Sequence, residues 1–146
     1  YASAVQTVLT KNVYSSDECK NALRVATINN QTEVVTALLQ SGVCPNTGYA
    51  HNITPLHWAI QKKHESIVRI LIDFKAGVNQ ANEWGHTPLY MAAKQHSAHR
   101  AIAQLLVARG ASIEITDRYA QSIHDHLCIK NLKNWFPDTI ALTKKI

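Results

Sequence analysis

The chain has 146 residues, and 46% of them are hydrophobic, which suits one domain with a buried core and excludes a disordered tail. No apolar run reaches the roughly 18 residues that a membrane span needs, and residues 1–20 lack the basic-then-apolar order of a signal peptide. The formal charge of +5 is spread along the chain, unlike the dense basic stripe of a nucleic-acid binder. We therefore expect a monomeric, cytoplasmic domain that binds neither membrane nor nucleic acid.

Two short stretches match each other, TPLHWA at residues 54–59 and TPLYMA at residues 87–92. In each, Thr precedes Pro, which suits an N-cap followed by the first helical position. Proline has no backbone N–H, and at that position the N–H would have no acceptor within the helix. Each copy is therefore predicted to begin a helix, and recurrence at a period of about 33 residues marks a repeat array. The T-P-L-H-x-A pattern closely resembles the ankyrin repeat, with Tyr90 in place of the family's histidine.

The resemblance implies an all-α ankyrin-repeat solenoid of about four helix-turn-helix repeats, joined by short β-hairpin loops and closed by atypical capping ends. We expect one domain over residues 1–146, cut from a longer protein because the first residue is Tyr1 and not Met. Its predicted parts are an N-terminal cap (1–16), a degenerate repeat (17–49), a repeat (50–82), a repeat with a two-residue insertion (83–116), and a degenerate repeat with the C-terminal cap (117–146).

The degenerate repeat keeps the spacing of the motif, because Leu23 and Ala26 stand one full period before Leu56 and Ala59. Its second helix is predicted near residues 32–40. The predicted core side chains of that helix are Val34, Val35, Leu38 and Leu39, and Gly42 is expected to stop it in a left-handed conformation.

The next repeat is predicted to hold helices near residues 55–62 and 65–74. The core candidates of its second helix are Ile67, Val68, Ile70, Leu71 and Ile72. Lys75 stands where a stop glycine is expected, so either the turn is distorted or this lysine takes a positive φ. Gly85 and Asn52 occupy equivalent hairpin tips, where a left-handed residue is expected.

The third repeat is longer, since Leu89 lies further from Gly110 in sequence than Leu56 lies from Lys75, the equivalent pair. Alignment of the second helices places the two-residue insertion within 94–98, so this loop should protrude. A final atypical repeat follows, with Ala120 at the glycine place of its hairpin.

Histidines and cysteines are predicted to be structural. His57 belongs to the motif, where the resemblance implies a hydrogen bond near the motif's threonine. His124 and Cys128 share a helical face within H-x-H-x-C, but two ligands do not make a metal site. Cys19, Cys44 and Cys128 lack C-x-x-C spacing and are expected to be buried free thiols. No catalytic motif is present, so we expect no enzyme activity, metal or cofactor in this chain.

The resemblance implies a protein-binding module whose contacts come from hairpin tips and the exposed face of the first helices. By position, the candidate contact residues are His51, Ile53, Gln61, Lys62, Glu83, Trp84, His86, Lys94, Gln95, Arg118, Tyr119 and Gln121. Trp84 and Tyr119 are the predicted anchors, unless Trp84 only packs on its own hairpin, and Lys62 and Lys94 favour an acidic partner. The parent protein would be an adaptor, a ubiquitin-ligase receptor or a pathogen effector, or alternatively an enzyme that uses this domain to choose its substrate.

Overall fold

A computed structural model of the chain describes residues 15–95, 99–113 and 130–137. Within these ranges the regular elements are helices, and no strand occurs. The chain divides into two compact units, Tyr1–Gly77 and Val78–Ile146. The N-terminal cap and most of the final repeat lie outside the described residues, so the single domain and its repeat boundaries stay a prediction.

The first unit holds four α-helices: α1 (Ser16–Ile28), α2 (Thr32–Gln40), α3 (Pro55–Gln61) and α4 (Glu65–Asp73). Helix α1 packs against α2 and α3, and α4 packs against α2 and α3. The arrangement is two layers of paired helices, and a short 3₁₀ turn, Ala50–Asn52, precedes α3. Helix α2 has the predicted bounds, and α3 and α4 each end one residue earlier than predicted.

The second unit contains α5 (Pro88–Lys94) packed on α6 (Arg100–Ala108), and residues 130–135 are also helical. Residues 62–64 separate α3 from α4, whereas the longer segment 95–99 separates α5 from α6. The two-residue insertion therefore lies between the helices, as the sequence predicts. Residues 96–98 are outside the described ranges, and with them the predicted protrusion.

The helix starts follow from local chemistry. Thr54 and Thr87 are both extended N-caps with Pro at the next position. The backbone N–H of Thr54 donates to Nδ1 of His57 at 3.1 Å, and the Thr54 hydroxyl lies 2.8 Å from the same nitrogen. The hydrogen bond expected at the motif's histidine is therefore present. At Thr87 the hydroxyl instead accepts from the backbone N–H of Tyr90 at 3.2 Å.

The core follows the period of the motif, since the equivalent residues Leu23, Leu56 and Leu89 are at most 1% exposed. Two core predictions are wrong: Val34 and Ile70 are only half-buried. Each directly precedes a buried residue, and one helical step turns a side chain by about 100°, which carries it off the packed side.

Left-handed residues end the helical pairs. Gly42 and Gly110 have φ values of 96° and 94°, and between them in sequence Lys75 has a φ of 68°. Lys75 therefore keeps the ordinary turn and takes the positive φ. A second left-handed position, not predicted from the sequence, is the turn between the two helices of a pair, where Asn30 and Lys63 have φ values of 57° and 59°.

One asparagine joins the loop after α2 to the turn after α4. The side chain of Asn46 accepts from the backbone N–H of Gly77 at 2.6 Å and donates to the carbonyl of Lys75 at 3.2 Å. It thereby satisfies a donor and an acceptor that the turn cannot pair internally.

The same bridge recurs one period later, in the second unit. The Asn79 amide donates to the carbonyl of Gly110 at 3.1 Å, and its oxygen accepts from the backbone N–H of Ser112 at 2.7 Å. We call these two sets of contacts the asparagine bridges. They were not predicted, although the matching positions of the two asparagines are visible in the sequence.

We call the first helix of each pair, α1, α3 and α5, an inner helix. The ends of α1 and α5 are also capped by side chains from further along the chain. Nε2 of His64 lies 3.0 Å from the carbonyl of Ile28 at the end of α1, and because a carbonyl only accepts, this nitrogen carries the proton. In the second unit, the Asn131 amide donates to the carbonyls of Ala93 at 2.8 Å and Gln95 at 3.4 Å. Both contacts satisfy carbonyls that a helix end leaves unpaired.

We expect Leu56→Ala to cost roughly 2 to 5 kcal/mol of unfolding free energy, because the buried side chain would leave a cavity. Urea unfolding monitored by circular dichroism measures this loss. Val25→Ala is the control, since Val25 is 41% exposed and should change stability by about 0.5 kcal/mol. Equal effects of the two substitutions would contradict the assignment of Leu56 to the core.

Asn46→Ala should cost about 0.5 to 1.5 kcal/mol, since it removes one part-buried and one exposed hydrogen bond to backbone groups. The matched control is Asn21→Ala. The side-chain oxygen of Asn21 accepts only from Arg24, one turn further along the same helix, and these bonds are exposed. The prediction fails if urea melts show the same stability for both variants.

Tyr49 should make the fold sensitive to alkali. Its hydroxyl donates to the carbonyl of Lys20, and burial raises the pKa of Tyr49 to about 12, although Arg24 acts in the opposite direction. Because the folded pKa exceeds the usual 10.0, the stabilisation is complete below pH 10 and is lost as the pH rises through about 12.

Unfolding free energies measured from about pH 9 to 12 test this expectation. Tyr49→Phe should lower stability by about 1 kcal/mol at neutral pH through loss of the hydrogen bond. Its stability should also fall less steeply than that of the wild type as the pH rises from 10.0 to about 12. Parallel pH profiles of the two proteins would rule out this role for the hydroxyl.

Candidate protein-binding surface

The first contact turn spans residues 49–53. The backbone N–H of Tyr49 donates to the carbonyl of Ile53 at 3.0 Å, and that of Asn52 donates to the carbonyl of Tyr49 at 2.9 Å. Asn52 has the predicted left-handed backbone, with φ 55°, and His51 unexpectedly shares it, with φ 59°. Of the two predicted contact residues, His51 is exposed and Ile53 is half-buried.

The second contact turn, residues 82–86, is held by the side chain of Asn82. Its oxygen accepts from the backbone N–H groups of Trp84 and His86, both at 3.0 Å, and the residue is 8% exposed. The N–H of Gly85 donates to the Asn82 carbonyl at 3.0 Å, and Gly85 has the predicted positive φ, 78°. One buried amide therefore fixes the backbone on both sides of the tip.

Three rings run from this tip towards the start of α5. Trp84 and His86 have ring centroids 6.3 Å apart with planes tilted by 32°, and His86 stacks on Tyr90 at 4.4 Å and 19°. Tyr90 is 2% exposed, whereas Trp84 is 41% exposed. We call Trp84, His86 and Tyr90 the aromatic ladder. The Trp84 ring contacts its own turn and also exposes apolar surface to solvent, so the choice between an anchor and a residue that only packs on its hairpin stays a prediction.

The remaining candidates on the inner helices lie at helix ends. Gln61 and Lys62, at the end of α3, are exposed, whereas Lys94 and Gln95, at the end of α5, are half-buried. A lysine in the last helical turn is favoured by the negative end of the helix dipole. Asn131 contributes to the lower exposure at the end of α5, because its amide bonds to the Gln95 carbonyl.

Three candidates, Arg118, Tyr119 and Gln121, lie outside the described residues, and so does the predicted neighbourhood of Trp84 and Tyr119. Among the others, ring contact brings Trp84 and His86 together. Sequence reasoning missed Asn82 and Tyr90 as their supports. Tyr90 could have been singled out from the sequence, because it replaces the histidine of the motif.

The described residues contain no group of three or more His, Cys, Asp or Glu side chains that could hold a metal ion. The H-x-H-x-C stretch at residues 124–128 lies outside them. Cys19 and Cys44 are free thiols, but Cys19 is only half-buried and Cys44 is exposed, so the predicted burial is wrong for both. Cys44 stands in the irregular loop after α2, away from the packed helix faces.

No helix in the described part of the chain is long and apolar enough to cross a membrane.

The family model for ankyrin repeats matches residues 23–117 with three copies. Similar proteins include an ankyrin repeat-containing protein of Schizosaccharomyces pombe, 32% identical over 80 residues, which cover 55% of this chain and 39% of that protein.

Two longer proteins are also similar. Rabankyrin-5 of Mus musculus is 37% identical over 82 residues, which cover 56% of this chain and 7% of that protein. E3 ubiquitin-protein ligase KEG of Arabidopsis thaliana is 25% identical over 112 residues, which cover 74% of this chain and 7% of that ligase.

The chain therefore matches under half the length of each of these relatives. The all-α ankyrin-repeat solenoid predicted from the motif is confirmed by the family match and by the helices of both units. Repeats of this kind indicate a protein–protein interaction module. With matched repeats over residues 23–117, the chain belongs to the ankyrin-repeat family.

Proposed function

We propose that this chain is the recognition module of an adaptor, a ubiquitin-ligase receptor or a pathogen effector. It holds its partner with the two contact turns and the ends of the inner helices. The observation that carries the proposal is the 41% exposure of Trp84 at the tip of a turn whose backbone is fixed by a buried side chain.

Trp84 suits an anchor because its support is already in place. The bonds from Asn82 hold the turn, and the stacked pair of His86 and Tyr90 lies behind the indole. Binding then orders few new groups, so less of the gain from burying the indole is lost as conformational entropy. Trp is also among the residue types enriched in interface hot spots.

The helix-end lysines favour acidic groups on the partner. Lys62 is exposed at the end of α3 in the first unit, and Lys94 lies half-buried at the end of α5 in the second. An exposed charge such as that of Lys62 mainly raises the association rate and contributes little affinity.

A second candidate function is substrate selection for an enzyme whose catalytic domain lies outside this chain. The similarity to a protein named as a ubiquitin-protein ligase, of which the matched residues cover only 7%, favours it. The full-length parent sequence distinguishes the two, because a catalytic domain would be recognisable there.

Replacing Trp84 by Ala should weaken binding to a partner isolated with the wild-type chain by more than about 1 kcal/mol. Helical circular dichroism and the melting temperature should stay nearly unchanged, since the ring is 41% exposed. Titration calorimetry measures the affinity.

Val25→Ala is the matched control, because Val25 has the same exposed fraction, 41%, and belongs to α1 and not to a contact turn. Val25→Ala should leave affinity within about twofold. A large fall in the melting temperature of Trp84→Ala, or an unchanged affinity, would overturn the proposed surface.

A further inference from the structure

We infer that Trp58 and Lys62 together bind a carboxylate of the partner protein, from an aspartate or glutamate side chain. This inference rests on the proposed function, since it names the group that contacts the end of one inner helix. It follows from a buried indole N–H without an acceptor, from a lysine one turn further along α3, and from the charge of the surrounding sequence.

The indole N–H of Trp58 is an unsatisfied donor. Its Nε1 atom is buried, and no described residue accepts a hydrogen bond from it. The residue as a whole is only half-buried, so another part of the side chain is accessible to solvent. A buried donor without an acceptor costs free energy, and few such groups persist in folded proteins. An acceptor supplied by a bound partner would remove that cost.

Lys62 stands one turn beyond Trp58 on the same face of the helix. Its backbone N–H donates to the Trp58 carbonyl at 3.0 Å, so helical geometry continues to this lysine. Residues four apart on a helix are surface neighbours, with Cβ atoms about 5 to 6 Å apart. The Lys62 side chain is exposed, and no described residue forms an ion pair with it. The indole N–H and the ammonium can therefore meet at one acceptor.

The sequence around this pair is basic. From residue 34 to residue 64 the chain has no acidic residue, and Lys63 adds a second positive charge beside Lys62. The next acidic side chain, Glu65, is already paired with Arg69 at 2.7 Å. The carbonyl end of a helix carries about half a negative charge, which the two lysines outweigh. An incoming carboxylate is therefore attracted to this end of α3.

A carboxylate satisfies both groups at once. It has two oxygens, so one accepts from the indole N–H while the other pairs with the ammonium. In the unbound chain the N–H is out of reach of solvent, so binding turns the indole about its side-chain bonds until the N–H faces the carboxylate. The hydrogen bond to a charged acceptor offsets the packing that this rotation gives up.

Other groups fit this pair less well. A backbone carbonyl or a side-chain amide accepts from the indole but carries no charge to pair with the ammonium. An apolar side chain would leave the donor unpaired and would also remove water from the lysine. A basic side chain would be repelled by Lys62 and Lys63.

The equivalent positions of the other inner helices lack this pair. Helix α1 carries Val25 and Asn29 there, one period earlier. Helix α5 carries Met91 and Gln95, one period later. Each set combines an apolar side chain with a neutral amide. The carboxylate site therefore belongs to α3, and it can be removed with residues that α5 itself uses at these positions.

The test follows the indole N–H resonance of Trp58 by NMR in the intact chain, assigned by its loss in Trp58→Met. The probes are Ac-Gly-Glu-Gly-NH2 and the matching peptides with Gln, Leu or Lys in the centre. The glutamate peptide should move this resonance downfield at the lowest concentration, because the N–H gains an acceptor. Added salt should weaken its binding, because exposed charges are screened.

Two lysine substitutions separate a defined site from general attraction. Lys62→Gln should weaken the glutamate peptide by roughly two- to fivefold, since it removes one exposed charge pair. Lys63→Gln is the matched control. It removes the same charge one residue further on, where the backbone is left-handed with φ 59° and the side chain leaves the face of Trp58. Its effect should stay below about twofold.

Trp58→Met keeps an apolar side chain and removes the donor. Backbone amide shifts of residues 58–63 then report binding, which should weaken by roughly three- to tenfold. Lys62 and Lys63 are exposed, so their variants should keep the wild-type fold. The two lysine variants decide the question on their own if Trp58→Met does not fold.

The inference is overturned if the glutamine peptide matches the glutamate peptide, if Lys63→Gln weakens binding as much as Lys62→Gln, or if the glutamate peptide leaves the Trp58 resonance unchanged up to its solubility limit. Each of these results leaves the proposed function standing, provided that Trp84→Ala still weakens binding of the isolated partner. Conversely, a glutamate-specific shift at Trp58 combined with full partner affinity of Trp84→Ala would remove the proposed function and keep the carboxylate site.

Discussion

The structure depends on side-chain amides that pair backbone groups about one repeat away. The backbone N–H of Gly77 is part-buried, where an unpaired donor is costly, whereas the other backbone groups in these bonds lie at the surface. Asn46 and Asn79 each supply one donor and one acceptor to a turn 29 to 33 residues ahead. Asn46 and Asn79 lie just before the contact turns. Their bonds therefore join successive turns and also fix the base from which each tip projects.

The two contact turns use one equivalent position in different ways. Tyr49 and Asn82 stand at the same place in successive repeats, and they donate their N–H groups to the carbonyls of Ile53 and His86. Tyr49 then extends its side chain to the Lys20 carbonyl in α1, whereas Asn82 folds its side chain onto its own turn. The first tip is therefore bonded to a helix, whereas the Asn82 side chain bonds to its own turn, whose indole is 41% exposed.

Much of the fold could be predicted because a motif with a fixed period specifies helix starts and the leucines beneath them. Lys75 also shows that position in the repeat outweighs residue preference, since it takes the left-handed backbone of the glycine it replaces. The asparagine bridges and the ring stack depend on side-chain rotamers, and period alone does not determine those. Lys62 is exposed, whereas Lys94 is half-buried between Ala93 and Gln95, whose carbonyls accept from Asn131, and no motif marks that contact.

Tyr90 connects the departure from the motif with the candidate surface. In the preceding repeat, Nδ1 of His57 accepts a hydrogen bond from the backbone N–H of Thr54, and His57 is fully buried. A tyrosine ring cannot accept in that way, and at Thr87 the cap is made by the hydroxyl and the Tyr90 N–H. The tyrosine ring instead stacks on His86, which in turn lies against Trp84. The tyrosine ring therefore supports the turn that displays the indole, and it does so together with Trp84 and His86, which also differ from their equivalents His51 and Ile53.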